Sequence, residues 1–376
     1  MKMEELVMAI NLAKGRLVSL DVFRGITMFL LVAEGTRLYT SLEHLVNPES
    51  FWGKIFTQFS HHPWNGLRFW DLVQPYFMFI VGVAMAFSLA KRWSQGASWI
   101  DTLKHILTRC GLLLLFGVML HCGYNNKLVW ELWNVLSQLS FTILVAFLIF
   151  NLPIRTQLII SFALLIITEL AYRFFPVSGF NQPFVPDQNF GSWMDMMLMG
   201  KLSGGHWVAI NCVPTAAHTI WGVLAAKILM KDKSENYKLK ILGLAGLIGV
   251  VVGYGMDWTG LTPIIKRICT SSFVIVSGGW CLLTLTFLYW LVDILGFQRW
   301  TKFFTIVGMN SIFIYLFSET VGHQWFNNFI GIFTNGFFAM AGMAEPIMAV
   351  MTALVILLLE WGLCYWLYKH KILIKI

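Results

Sequence analysis

Charge is scarce in this chain. Asp, Glu, Lys and Arg together make 12% of its 376 residues, against about 25% in a soluble domain. With hydrophobic residues at 57%, too few charged side chains remain to clothe a water-exposed surface. Cysteine is also sparse. Its six positions (110, 122, 212, 269, 281 and 364) include no C-x-x-C pair, so no disulfide framework, zinc site or other metal centre is expected. No convincing internal repeat or low-complexity linker interrupts the chain, and residues 1–376 read as one integral-membrane domain. Met1–Lys14 lacks an apolar run followed by a small-residue cleavage site, so it is not expected to be a removable signal peptide. Leu6, Ile10 and Ala13 could instead share one face of a short helix on the inner membrane surface.

What is present is a succession of apolar runs. Each is about 20 residues long, the length that crosses a hydrocarbon core of about 30 Å. The expected fold is all-α and polytopic, with about ten transmembrane helices. They are placed near 17–37, 70–90, 100–121, 132–151, 156–175, 208–230, 239–257, 270–294, 303–321 and 346–368. The stretch 329–341 is apolar but too short to cross, and reads as re-entrant or interfacial.

Basic residues set the orientation. With both termini cytoplasmic, only eight of the 27 Lys and Arg fall outside (Arg37, Lys54, Arg68, Lys127, Arg173, Lys201, Lys266 and Arg267). That asymmetry is the positive-inside pattern. The net charge of +8 is then mostly a topology signal, and no nucleic-acid partner is implied. The lipid bilayer is the expected surrounding. A homodimer stays open.

The densest chemistry lies at 59–75, where His61, His62, Asn65 and Asp71 precede a long apolar run. Imidazole moves protons near neutral pH. A carboxylate at a span end needs a partner or a wet cavity, which makes Asp71 a candidate to orient an imidazole or meet a cationic substrate. Adjacent His61 and His62 point in different directions, so at most one is expected to act. Trp64 fits an aromatic belt at the membrane edge or a substrate wall. Asp21 and Arg24, three apart on one helical face, read either as a structural ion pair or as a fork for a cytoplasmic anion. Glu34 is either a solvated rim residue or a site lining. Asn134 and Gln138 share a face and suit a ligand or a neighbouring helix. Asn310 and Ser311 begin a polar break that runs to Glu319, and His218 interrupts another span. A lone interior histidine of that kind is usually structural.

Three motifs then carry a resemblance: Asp-x-Phe-Arg-Gly at 21–25, His-x-x-Trp-Asn-Gly-Leu with Asp-Leu-Val-x-Pro at 61–75, and Gly-Met-Asn-Ser-Ile at 308–312. Together with Gly222-Val-Leu-Ala-Ala-Lys-Ile and the terminal Tyr-Lys-His-Lys-Ile-Leu-Ile-Lys-Ile, the chain resembles the heparan-α-glucosaminide N-acetyltransferase family, which has lysosomal and bacterial members. The resemblance implies acetyl-CoA as co-substrate, bound from the cytoplasm, and delivery of acetyl to a glucosamine or glucosaminide amine on the far side. It implies His61, three residues before Trp-Asn-Gly, as the catalytic histidine, with Asp71 beside it. Glu34, Trp64 and Asn65 would face the acceptor. Asp21, Arg24, Gln138, Asn310 and Ser311 would face the cofactor. The chain departs from the family at Ser137-Gln138, where the family has Gln-Arg, and around Glu34-Gly35, where the family has an Asn near the end of the first span. These departures leave the acceptor open. A bacterial inner membrane is the expected location. Two alternatives stand beside this reading: O-acylation of an envelope glycan, and proton-coupled transport of a small molecule.

Overall fold

A computed structural model describes residues 17–374, which are helical throughout with no strand among them. The N-terminal face of Leu6, Ile10 and Ala13 lies outside the described residues. Seven helices are long and apolar enough to cross a membrane: Phe69–Ser94, Trp99–Asn125, Ile154–Arg173, Ala209–Leu229, Glu235–Trp258, Ser271–Ile294 and Glu345–Lys369. A bent pair, Thr301–Met309 and Ser311–Met340, makes an eighth if it counts as one span.

Two of the ten expected spans differ for identifiable reasons. Val18–Gly35 is helical but carries Asp21, Arg24 and Glu34 within 18 residues, more charge than hydrocarbon readily accepts. Val135–Leu148 has only 14 residues, about 21 Å at 1.5 Å per residue. Hydropathy overestimates it because Asn134 caps its start late, accepting a bond from the Ser137 N–H at 3.0 Å. The apolar 329–341 stretch is likewise no isolated segment. It is the end of continuous helical winding that begins at Ser311, passes through the π-helix Ser318–Phe326 and finishes as Asn327–Met340.

The described chain forms two compact units. The larger holds Pro63–Leu67, Gln74–Ile294 and the described part of Met1–Leu20. Its axis is Cys212–Leu229, in a span whose apolar window is 78% buried, whereas only 17% of the Glu235–Trp258 window is. Small residues let backbones close in. A Cβ on Gly82 would stand 2.0 Å from the Thr219 carbonyl oxygen, and one on Gly222 would stand 2.1 Å from that of Phe79. Lys227 is buried but committed: its Nζ donates to the Phe150 carbonyl at 2.5 Å, beyond the C-terminus of Val135–Leu148, where cations are favoured. Asp293 accepts the Val18 and Ser19 N–H groups, each at 3.1 Å, and so opens the first helix.

One end of this unit is tied by buried carboxylates. Glu131 meets Lys201, His121 and the Asn125 amide. Burial pushes the Glu131 carboxyl up, but Lys201 and His121 outweigh it and hold the group below its usual range. Asp195 accepts from the Trp133 indole at 2.7 Å and the Ala209 N–H at 2.9 Å. With two neutral donors and no cation among those contacts, burial pushes Asp195 up to about 6.

The smaller unit holds Asp21–His62, Arg68–Val73 and Leu295 onward. Gly25 and Gly308 bring its first helix against Thr301–Met309: a Cβ on Gly25 would meet the Phe304 carbonyl oxygen at 2.2 Å, and one on Gly308 the Gly25 nitrogen at 2.9 Å. The chain bends by 75° at Asn310. Asn310 is fully buried and donates to the Ile372 carbonyl while accepting from the Ile374 N–H. Ser311 Oγ donates back to the Gly308 carbonyl at 2.6 Å.

Two outcomes are expected. Gly222→Ala, which drives a methyl group into backbone, should lower stability by about 1–3 kcal/mol, read as an earlier melt in detergent. Gly111→Ala, with open space around it, should melt like the parent. Asp195 sets a pH window. Its folded pKa of about 6 lies above the ordinary 3.8, so its share of stability is full below 3.8 and lost as pH rises through 6. Melting at pH 4, 5, 6 and 7 should therefore show Asp195→Asn gaining on the parent as pH rises; a constant gap would refute the raised value.

Candidate active site

The smaller unit brings His61 and Asp71 together. Ser50 caps Phe51–Phe56 by accepting from the Gly53 N–H at 3.0 Å. A 3-10 turn over Thr57–Phe59 then ends at Ser60, and the chain is extended into His61. A second 3-10 turn, Phe69–Leu72, carries Asp71 as its third residue. The Asp71 side chain reaches back to accept the Arg68 N–H at 2.9 Å, the reach that capping carboxylates make at a helix start.

Asp71 is fully buried. Its Oδ2 takes the Arg68 N–H and the His62 N–H, the latter at 3.3 Å, and its Oδ1 lies 3.1 Å from His61 Nδ1. A carboxylate facing Nδ1 fixes the proton on that nitrogen and leaves Nε2 as the basic one. The His61 side chain is 37% exposed, so the dyad combines a buried, fixed acid with an accessible imidazole. His62 differs in kind. Its backbone serves Asp71, while its own Nδ1 is buried without a hydrogen-bond partner. Burial and then the Arg68 charge push the His62 imidazole down, against the opposing pull of Asp71.

A brace of polar groups holds this loop. Arg68 Nη1 donates to Ser60 Oγ at 2.8 Å and to the His61 carbonyl at 3.0 Å, and Ser60 Oγ donates to Glu43 at 3.2 Å. Beneath it, Tyr39 packs on Phe59 and Trp70 at ring centroids of 4.8 and 5.3 Å, and its hydroxyl donates to the Leu30 carbonyl. Burial, followed by the nearby Glu34 charge, pushes the Tyr39 phenol up. Glu34 thus shares a neighbourhood with the aromatic floor under His61. Arg68, Ser60, Glu43 and Tyr39 support the loop that carries the dyad, and none of them stands out as a site residue in the sequence. A signal existed for Arg68 alone, as a cation inside the His-to-Asp stretch.

The remaining candidates fall into place singly. Asp21 and Arg24 form a loose pair at 3.9 Å, beside the Gly25–Gly308 contact that joins the two motifs. Asn310 and Ser311 spend their side chains on the C-terminal backbone and on the bend. Trp64 and Asn65 belong to the larger unit. The Trp64 indole donates to the Phe184 carbonyl at 2.8 Å, and Asn65 pairs with Ile265 in an isolated bridge. Gln138 accepts from the Gln74 amide in that same unit. Among the described residues, no group of three or more His, Cys, Asp or Glu is placed to hold a metal ion.

No family model matches the chain. It is similar to the heparan-alpha-glucosaminide N-acetyltransferase of Homo sapiens, with 26% identity over 377 aligned positions that cover 84% of this chain and 53% of the human protein. The Mus musculus protein of the same name is also 26% identical, over 84% of this chain and 54% of its own length. The chain thus spans about half the length of the curated relatives it matches.

Proposed function

We propose that this protein is a membrane-embedded acetyltransferase that moves acetyl from cytoplasmic acetyl-CoA to the amine of a glucosamine or terminal glucosaminide on the opposite side of the membrane. The observation that carries the reading is the His61–Asp71 dyad, formed by the histidine that the resemblance assigns as catalytic. A thioester is already activated, so the reaction needs a neutral amine, a base for its proton and an exit for the thiolate. His61 Nε2 takes the proton as the amine nitrogen bonds to the acetyl carbon and the carbon–sulfur bond breaks. The imidazolium then returns that proton to the CoA thiolate. Transient acetyl transfer to Nε2 itself is the alternative order, and Asp71 supports both by stabilising positive charge on the ring.

Asp71 and Glu34 are the proposed attraction for the acceptor's ammonium. Arg24, oriented by Asp21, is proposed for the nucleotide phosphates. Asn310 and Ser311 shape the bend beside it. Trp64, Asn65 and Gln138 use their polar groups inside the larger unit, so the proposal gives them no chemical step. Positive-inside counting supports cytoplasmic termini, and a bacterial inner membrane is the proposed location.

Incubation of purified protein with labelled acetyl-CoA and glucosamine, beside a vesicle uptake assay, tests the reading. N-acetylglucosamine is the expected product. Label appearing only on hydroxyls would point to O-acylation, and vesicle uptake without transfer would point to a transporter. His61→Ala should lower transfer by about 10²–10⁴-fold, the usual share of a general base, whereas His62→Ala should keep a substantial part. Equal loss in both would remove the distinction drawn from their geometry. For orientation, a cysteine at exposed Gly179 should label from outside intact cells, and one at exposed Ser234 only after permeabilisation.

A further inference from the structure

Glu360 lies in the candidate span Glu345–Lys369 and is 1% exposed, yet neither carboxyl oxygen has a hydrogen-bond partner. A carboxyl group inside a span ordinarily finds a donor or a cation, because an unsatisfied one costs several kcal/mol. Glu360 faces the π-helix Ser318–Phe326, a nine-residue run of a winding that is rare and often sits at functional sites. There Gly322 leaves a cradle. The point a Cβ would occupy is 3.0 Å from Glu360 Oε1, 3.6 Å from the Phe317 carbonyl oxygen and 3.7 Å from Ser318 Oγ. Three oxygens are therefore the nearest atoms to the point where any other residue would carry its Cβ.

A second orphan flanks the same winding. Asn327, at the end of the π-helix, donates its amide to the Gly35 carbonyl at 2.8 Å, but its Oδ1 is buried without a partner. Gly35 in turn abuts Ser318 Oγ and His323 Nε2. The orphaned atoms around the π-helix are all acceptors. What is missing from the cluster is a donor or a positive charge.

We propose that Glu360, Ser318 and the Phe317 carbonyl form an intramembrane site for a single positive charge, supplied by a proton on the carboxyl or by an alkali-metal ion in the Gly322 cradle. The proposal rests on this geometry and not on the acetyl-transfer reading. Other titratable groups near this cluster are Glu319 and His323 on the π-helix, Tyr315 just before it, Glu34 on the first helix and Cys364 one turn along from Glu360. Packed against Glu345–Lys369 are also the helix Leu38–Leu45, with Glu43 and His44, and Thr301–Met309, with Lys302. Only Glu360 among the carboxyl groups of this set has both oxygens buried and unpartnered.

The test compares melting of the purified full chain with that of Glu360→Gln, in sodium, potassium and choline chloride at equal ionic strength and at several pH values. An alkali-ion site predicts that the parent melts about 2–4 °C higher in one alkali salt than in choline. A proton site predicts a comparable rise on acidification with no preference among the salts. In either case the response should be smaller in Glu360→Gln than in the parent, with which it shares the Asp195 contribution. If Glu360→Gln does not fold, Gly322→Ala, whose methyl fills the cradle, should blunt the salt response, and Ser318→Ala should weaken it. A parent indifferent to both salt and pH, or a response equal in parent and Glu360→Gln, overturns the proposal.

Discussion

A carboxylate taken out of water has to be surrounded by donors, and the arrangement around Asp71 follows from that need. Two backbone N–H groups, from His62 and Arg68, and one imidazole nitrogen converge on its two oxygens. Each charge-assisted bond is worth more than a neutral one. The chain between residues 61 and 71 must therefore curl until both ends face the same carboxylate. The curl in turn presents the far edge of His61 outward and turns His62 inward. The geometry of the candidate site and the stability of its loop are here one interaction, and removing the Asp71 charge would loosen both.

The surroundings keep that loop from drifting. Arg68 grips Ser60 and the His61 carbonyl with one nitrogen while its backbone serves Asp71. Its side chain and main chain therefore fix the two ends of the same turn. The aromatic floor of Tyr39, Phe59 and Trp70 supplies shape without competing donors. Within the same unit, Gly25 and Gly308 let the first helix meet the bent one closely enough for the Asp21–Arg24 turn to lie beside the break at Asn310. Motifs almost 300 residues apart become neighbours because neither glycine has a side chain to hold them apart.

Much of this was legible from residue order, and the failures are physical. The all-helical membrane character follows from scarce charge and repeated apolar runs. The resemblance singles out His61 by its register to Trp64, and the structure gives the two histidines different surroundings, one half-exposed beside Asp71 and the other with a buried, unpartnered Nδ1. Seven or eight of the ten expected spans pass by length and composition; hydropathy averages over a window and does not register where a cap begins a helix, as Asn134 does. Nor does it register that three charges burden Val18–Gly35. Asn310 stands out in the sequence because a polar group in hydrocarbon needs a partner, and its side chain meets the backbone of the C-terminal tail. The brace of Arg68, Ser60 and Glu43 left little trace in local pattern, since Glu43 stands 17 residues from Ser60.

The buried carboxyl groups order themselves by what faces them. Asp71 has two backbone donors and an imidazole, and forms the dyad. Glu131 has a lysine, a histidine and an amide, which overcome its burial and make it a permanent ionic tie. Asp195 has only an indole and one backbone N–H, too little to offset its burial and keep its pKa in the usual carboxylate range. Glu360 has nothing. Along that series the cost of carrying charge passes from the fold to whatever the fold can recruit from outside. Structure alone explains the first three, since each is satisfied by neighbours in proportion to its charge. A carboxyl that the fold leaves without any donor, beside a π-helical turn and a glycine, is the one for which a proton or cation from outside would supply what the polypeptide does not.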